Sequence, residues 1–249
     1  MKLQLNREEV EDAIHLGDSS DPCPYIPGQM ATFRYGNGHL IDGHYQDLLD
    51  WGYRRNGRFV YRPVCAACQE CWVLRVPVAE FQRTKSQRRV WNKGRNVFSV
   101  KWGAPSYTPE KAALYARYLA YQHDTEEAPM DEERYSSFLV DSCLDYATLE
   151  FQYHVDGKLA GVGIADRLEH ALSTVYFYFD PDFAVLSPGT WSALFELEFA
   201  ARCGLDHYYL GYYIPGCGAM NYKSRFQPCE IKQPDKTDWM SCAPQKVPL

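Results

Sequence analysis

Apolar and polar positions alternate most clearly in the second half of the chain. Thr148 to Val155 (TLEFQYHV), Lys158 to Asp166 (KLAGVGIAD) and Ser173 to Phe179 (STVYFYF) are runs of strand length, rich in the β-branched and aromatic residues that suit a pleated, half-buried surface. Asp156-Gly157 between the first two is a favoured two-residue hairpin turn. Ser187-Pro188-Gly189-Thr190 then opens a helix over Trp191 to Cys203 that ends at Gly204, with Ser187 as N-cap and Pro188 in the next position. A buried strand follows at His207 to Tyr212. Upstream, Thr108 and Pro109 start a helix that runs to Gln122. The first hundred residues read differently: "DPCPYIPGQ" and "RYGNGHLIDGH" carry Pro and Gly at short intervals, which predicts irregular, turn-rich structure. Within it, Met30 to Tyr35, "RFVYRPV" and "CWVLRVPV" are short strand candidates, and His44 to Trp51 is a short helix ended by Gly52. The expected class is α+β, with a small Cys-containing N-terminal domain (1–104) packed on a more regular C-terminal domain (105–249).

Composition supports a globular chain, since 249 residues with 46% hydrophobic content can fill a sizeable core. The start, MKLQLNREEVEDAIHLGDSS, lacks the apolar run of a signal peptide and the Arg-rich character of a transit peptide. No window is apolar for long enough to span a bilayer, so a soluble cytoplasmic protein with no membrane partner is expected.

Charge changes the picture. The formal net charge is −6, yet Arg54 to Lys101 holds twelve Lys and Arg against only Glu70 and Glu80. Inside that window, "RTKSQRRVWNKGRNV" (83–97) has six cations and no carboxylate. Segregation of this kind points to a local anionic partner, nucleic acid first.

Nine cysteines are present, three of them in Cys65-x-x-Cys68-x-x-Cys71. The count is odd, and two-residue spacings suit metal ligation better than a disulfide framework. With Cys23 they make a tetrahedral thiolate count, which fits zinc or an iron–sulfur centre. The stretch "YLGYYIPGCGAMNYKSRFQP" is the other dense segment, with Tyr212, Tyr222, Lys223 and Arg225 close after a buried strand end. That is a position from which α/β folds commonly reach a ligand.

Five ordered segments, "CPYIPGQ", "GYRRNGRFVYRPVCAACQECWVLRVPV", "KSQRRVWNKGRN", "YFYFDPDFAVLSPGTWSALFELEFA" and "YLGYYIPGCGAMNYKSRFQP", resemble the successive motifs of the bacterial aspartate/glutamate leucyltransferases. These are relatives of the eukaryotic arginyl-tRNA–protein transferases, and the resemblance runs from Pro22 to Pro228. It implies that an aminoacyl group passes from a tRNA to the N-terminal amine of a protein beginning with Asp or Glu, marking that protein for degradation. For the second half it implies a fold like the GCN5-related N-acetyltransferases, in which two central strands splay and a helix N-terminus faces the acyl donor. Eukaryotic members carry paired cysteines near their start, whereas here Cys23 is followed by Pro24 and Tyr25.

The implied chemistry is undemanding. The donor is an activated ester and the acceptor an α-amine with a pKa of roughly 8, so about a tenth is neutral near pH 7. Positioning, oxyanion donors and a weak proton acceptor suffice. Ser187 and the backbone of Gly189 and Thr190 are candidate donors; Tyr178, Tyr212 and Tyr222 are candidate proton relays. An acidic acceptor calls for a cation, and Arg75, Lys223 and Arg225 are the candidates. Lys85, Ser86, Gln87, Arg88, Arg89, Lys93 and Arg95 are expected to face the tRNA. The co-substrate is aminoacyl-tRNA, and no cofactor is required. Three alternatives stay open: an arginyl donor, an acyl-CoA N-acyltransferase, and a non-catalytic metal-stabilised nucleic-acid-binding module.

Overall fold

The computed structural model describes residues 6–41, 43–123, 128–144 and 147–242. The alternating runs of the second half become consecutive strands of one sheet: β7 (Thr148–Val155), β8 (Lys158–Arg167) and β9 (Ala171–Phe179) pair antiparallel. Asp156 and Gly157 both take positive φ, as the tight turn between β7 and β8 requires. The full sheet has eight strands in the order β12-β11-β5-β10-β9-β8-β7-β6. Its other members are β5 (Trp72–Pro77), β6 (Phe98–Gly103), β10 (His207–Tyr213), β11 (Glu230–Lys232) and β12 (Met240–Ser241). β9 and β10 are parallel and pair only at their starts, from His207 opposite Ala171 to Tyr209 opposite Ser173. Beyond that point they part. The connection between them is α6 (Pro188–Arg202), so the second half has the splayed-strand, acetyltransferase-like arrangement that the resemblance implies.

The first hundred residues are more regular than their Pro and Gly content predicts. β1 (His15–Pro22), β2 (Met30–Asn37), β3 (Arg54–Asn56) and β4 (Phe59–Pro63) form an antiparallel sheet in the order β1-β2-β4-β3. β1 gives no alternation to read because it lies at the edge and nearly all of it is exposed. α1 (Arg7–Ile14) begins at a capping box in which Asn6 and Glu9 each accept the other's backbone N–H, and it buries Val10 and Ile14. α2 (Tyr45–Asp50) buries Tyr45, Leu48 and Leu49. The expected boundary at 104 falls at the end of β6, and the eight-stranded sheet takes both β5 and β6 from the residues before it.

α6 is covered on most of its circumference: Trp191, Ser192, Ala193, Leu194, Glu196, Leu197 and Ala200 are all buried. Such a helix shows little amphipathic contrast and draws its stability from packing. Against its first turn lies α3 (Lys85–Gly94), opened by a capping box between Thr84 and Gln87. Trp91 of α3 stacks on Trp191 at 5.6 Å, and a Cβ on Gly94 would lie 2.0 Å from the Trp191 indole. Only glycine permits that approach. α4 (Pro109–His123) covers the sheet at β8 and β9, with α5 (Glu132–Tyr135) following. Two buried ion pairs tie these layers: Arg55 to Asp166, with contacts at 2.9 and 3.0 Å, and Lys111 to Glu150 at 2.6 Å.

One local expectation is corrected. The Ser187 side chain makes no capping hydrogen bond; its backbone is left-handed, with φ 55°, and it closes the preceding 3-10 turn (Pro181–Leu186). The helix start is set by that turn and by Pro188 at its first position.

Candidate active site

Where β9 and β10 diverge, they leave a cavity of about 430 Å³. One wall is a face of α6. Gly189, Ser192 and Glu196 all line it, and spacings of three and four put them in one row along the helix. Trp191 N–H to the Ser187 carbonyl, at 3.0 Å, closes the first turn. Pro188 has no N–H to offer, so Gly189 and Thr190 carry the free donors of the helix start, where the helix dipole also favours negative charge. Val175, Phe177, Phe179, Ala193 and Leu210 make an apolar wall. The opposite end is built by Gly211 and Tyr212 of β10, by Lys223, and by Arg54 and Tyr61 of the four-stranded sheet.

The charges here are unusual. Glu196 is 1% exposed and accepts a hydrogen bond from Tyr208 Oη at 2.7 Å. Burial pushes its carboxyl up to about 7, against the opposing hydrogen bonds from Tyr208 and Thr174. Lys223 is 8% exposed. Burial first, and then the Arg54 charge, lower its ammonium to about 7. Its Nζ donates to the Tyr212 carbonyl at 2.6 Å and contacts Met220 Sδ at 3.3 Å. Arg54 stacks over the Tyr212 ring at 5.2 Å. The cavity therefore joins a weakly acidic carboxyl, a helix start and a cationic end.

The chain matches the family models for the arginine-tRNA-protein transferase N terminus over residues 21–89 and C terminus over residues 110–233. An aspartate/glutamate leucyltransferase of Chromobacterium violaceum is 36% identical over 223 residues, spanning 88% of this chain and 91% of that protein. One from Stenotrophomonas maltophilia is 38% identical over 231 residues, spanning 88% and 90%. The chain belongs to the aspartate/glutamate leucyltransferase family. Among solved structures, FemX has a TM-score of 0.52 at 9% identity, covering 80% of this chain and 68% of its own. The C-terminal domain of an Agrobacterium fabrum protein described as a lysylphosphatidylglycerol synthetase has a TM-score of 0.50 at 15% identity, covering 67% and 60%. These two share the fold.

Of the residues this family member was expected to use, Gly189, Tyr212, Tyr222 and Lys223 line the cavity. Tyr212 Oη is committed to the Gly52 carbonyl at 2.7 Å, and burial raises its phenol well above the ordinary value. Tyr222 is 39% exposed at the rim. Tyr178 lies elsewhere, fully buried in a separate cluster with Tyr115 and Leu139 and hydrogen-bonded to Tyr135 at 2.6 Å. Ser187 and Thr190 do not line the cavity by their side chains. Arg75 is enclosed by partners: Glu230 at 2.7 Å, Asp50 at 3.6 Å and the Trp239 ring at 3.7 Å. Arg225 is exposed. Glu196 was missed as a candidate, and Arg54 stood behind Arg75, Lys223 and Arg225 as a second choice with Arg34 and Arg55.

The basic segment forms α3. Lys85, Ser86, Arg88, Arg89, Lys93 and Arg95 are exposed, while Gln87 is buried and donates to the Arg225 carbonyl at 3.1 Å. Lys93 reaches the Val185 carbonyl at 3.0 Å, so this cationic face sits beside the start of α6.

Cys23, Cys65, Cys68 and Cys71 line a second cavity of about 270 Å³. Ile26 N–H points to Cys23 Sγ and Thr32 N–H to Cys65 Sγ, both at 3.4 Å. Burial and then the neighbouring thiols push Cys71 up to about 12. Among the described residues, no group of three or more His, Cys, Asp or Glu is arranged to hold a metal ion. The four sulfurs expected to ligate zinc or an iron–sulfur centre are gathered in one place but not in ligating geometry. No helix among the described residues is long and apolar enough to cross a membrane.

Proposed function

We propose that this transferase moves leucine from Leu-tRNA to the N-terminal amine of proteins beginning with Asp or Glu, marking them for degradation. The observation that carries this reading is the cavity between the splayed strands, with a helix start and Glu196 on one wall and uncompensated cations at its end, in a member of this family. The acceptor amine attacks the ester carbonyl carbon, and the tetrahedral oxyanion takes hydrogen bonds from Gly189 and Thr190 N–H. Glu196, poised near neutrality, accepts the proton released from the attacking nitrogen. The C–O bond to the terminal ribose then breaks, Glu196 passes that proton to the leaving ribose oxygen and returns to its carboxylate, and the amide remains. An apolar wall of Val175, Phe177 and Phe179 suits a leucyl side chain, and the cationic end disfavours an arginyl one.

In this reading residues 1–104 supply the cationic face of α3, which contacts tRNA phosphates, and residues 105–249 supply most of the transfer cavity. Lys85, Ser86, Arg88, Arg89, Lys93 and Arg95 make those contacts while Gln87 holds the helix in place. The cysteine quartet supports the fold around β2 and β4 and takes no part in bond-making. Substrates of this kind place the reaction in the cytoplasm. The test is incubation of purified protein with labelled Leu-tRNA or Arg-tRNA and Asp-starting peptides. Label should pass from Leu-tRNA to the peptide amine; equal or preferential transfer from Arg-tRNA would reverse the donor assignment.

A further inference from the structure

Arginines are frequent on β2, β3, β4 and β5, and nearly all of them have found a carboxylate. Arg55 pairs with Asp166, Arg62 with Glu11 and Asp235, Arg34 with Asp18, and Arg75 with Glu230 and Asp50. Arg54 is the exception. It is 6% exposed, its Nη1 donates to the Tyr53 carbonyl at 2.6 Å, and among the described residues no carboxylate lies within ion-pair distance of it. Among the described residues its buried Nε and Nη2 have no hydrogen-bond partner. These two N–H groups form one edge of the guanidinium, the parallel fork that takes a carboxylate bidentately. Leaving such donors dry is unfavourable unless a ligand supplies the acceptors.

Lys223 repeats the pattern, being buried without a carboxylate among the described residues. The two cations meet at Gly211, where β10 bulges between Tyr209 and Gly211. A Cβ on Gly211 would lie 3.6 Å from Lys223 Nζ and 3.9 Å from Arg54 Nε. Gly211 holds φ +82°, a conformation that glycine adopts without strain, and its missing side chain leaves the space between the two cations open. All three residues line the cavity that also holds Glu196 and Gly189.

We infer that Arg54 and Lys223 form the receptor for the side-chain carboxylate of the acceptor's first residue, with the Nε/Nη2 edge of Arg54 as the bidentate contact. This rests on the transfer reading above and names the residues that select the acceptor. An Asp or Glu side chain carries its carboxylate one or two methylenes from the carbon that bears the reacting amine, so it can enter a covered pocket while the amine stays at the ester. A tRNA phosphate is flanked by sugars on both sides and suits the exposed face of α3 better. Asn and Gln would turn amide N–H groups toward donors, an arrangement a built hydrogen-bonding site rejects strongly.

The test is the ratio of kcat/KM for Asp-starting over Asn-starting peptides, a ratio that does not depend on what fraction of a variant is folded. Arg54→Met should lower it at least 100-fold and Lys223→Met about 10-fold, with Arg54→Lys intermediate, while affinity for deacylated tRNA changes less than threefold. Calorimetric binding of Asp-Ala-Ala and Asn-Ala-Ala peptides gives the same comparison without requiring transfer. Wild-type protein that binds the Asp peptide preferentially, loses that preference on Arg54→Met, and yet transfers nothing would refute the transfer reading and leave this assignment standing. Retention of the preference in both Met variants, or loss of tRNA affinity alone, would overturn the assignment.

Discussion

Lys111 and Arg54 are both cations buried against the sheet layers, and they differ in what surrounds them. Lys111 Nζ has Glu150 at 2.6 Å and both the carbonyl and hydroxyl oxygens of Ser106 at 2.8 Å, a complete set of acceptors for its three protons. Arg54 has two donors with nothing to donate to among the described residues, and its neighbour Lys223 is a second buried cation. On the first site the protein has already supplied every counterpart, so the charge serves architecture. On the second it has withheld them, and Glu196 nearby is likewise left without a cation among the described residues. Incomplete compensation marks the part of the molecule that expects something from outside.

Breaking the compensated site should have the largest effect. Lys111→Met leaves Glu150 buried without its cation, which should cost about 3–5 kcal/mol of stability, read by denaturant unfolding, with transfer per folded molecule unchanged. A cost below about 1 kcal/mol would erase the contrast between the two sites.

Glu196 sharpens it from the other side. Its folded carboxyl titrates near 7 against an ordinary value near 4.5, so between those values the folded state holds the extra proton. Its stabilising share is full below pH 4.5 and is lost as pH rises through 7, by about 3 kcal/mol. Glu196→Gln should flatten that slope, leave stability at pH 8 equal or higher, and lower kcat about 100-fold. A variant as active as wild type would remove Glu196 from the reaction.

Smaller effects are expected at the surface. Arg88→Ala and Arg89→Ala should each reduce the salt dependence of tRNA binding by a slope of about one without altering the melting temperature; unchanged affinity and slope would remove α3 from tRNA binding. Cys68→Ser should be mildest, lowering stability by about 1 kcal/mol with transfer per folded molecule kept within twofold. Abolished transfer in a stable Cys68→Ser protein would contradict a purely structural quartet.

Much of the second half was legible because its signals are local. The Asp156-Gly157 turn, the aromatic alternation of β9 and the Pro188 helix start are each written within a few residues. β1 was missed because an exposed edge strand has no buried face to impose a pattern. Glu196 was missed for a different reason: it and Glu198 in the run "ALFELEFAA" both read as solvated positions, and only the packing of Tyr208 and Gly163 against Glu196 shows that it is enclosed. Arg54 and Arg55 are adjacent and identical in type, and nothing in "YRRNG" tells which will meet Asp166. That distinction is made by residues over a hundred positions away.

The place of β5 has a consequence for biosynthesis. Its hydrogen-bonding neighbours on either side are β10 and β11, so a strand made at 72–77 waits for partners encoded at 207–213 and 230–232. The nascent chain must hold "WVLRVP" unpaired while more than a hundred further residues are made, a long exposure for an apolar strand with two open edges. Pro77 at its end and the cationic α3 immediately after it act as gatekeepers during that interval. The helix that faces outward in the finished enzyme thus also helps keep the unfinished one soluble.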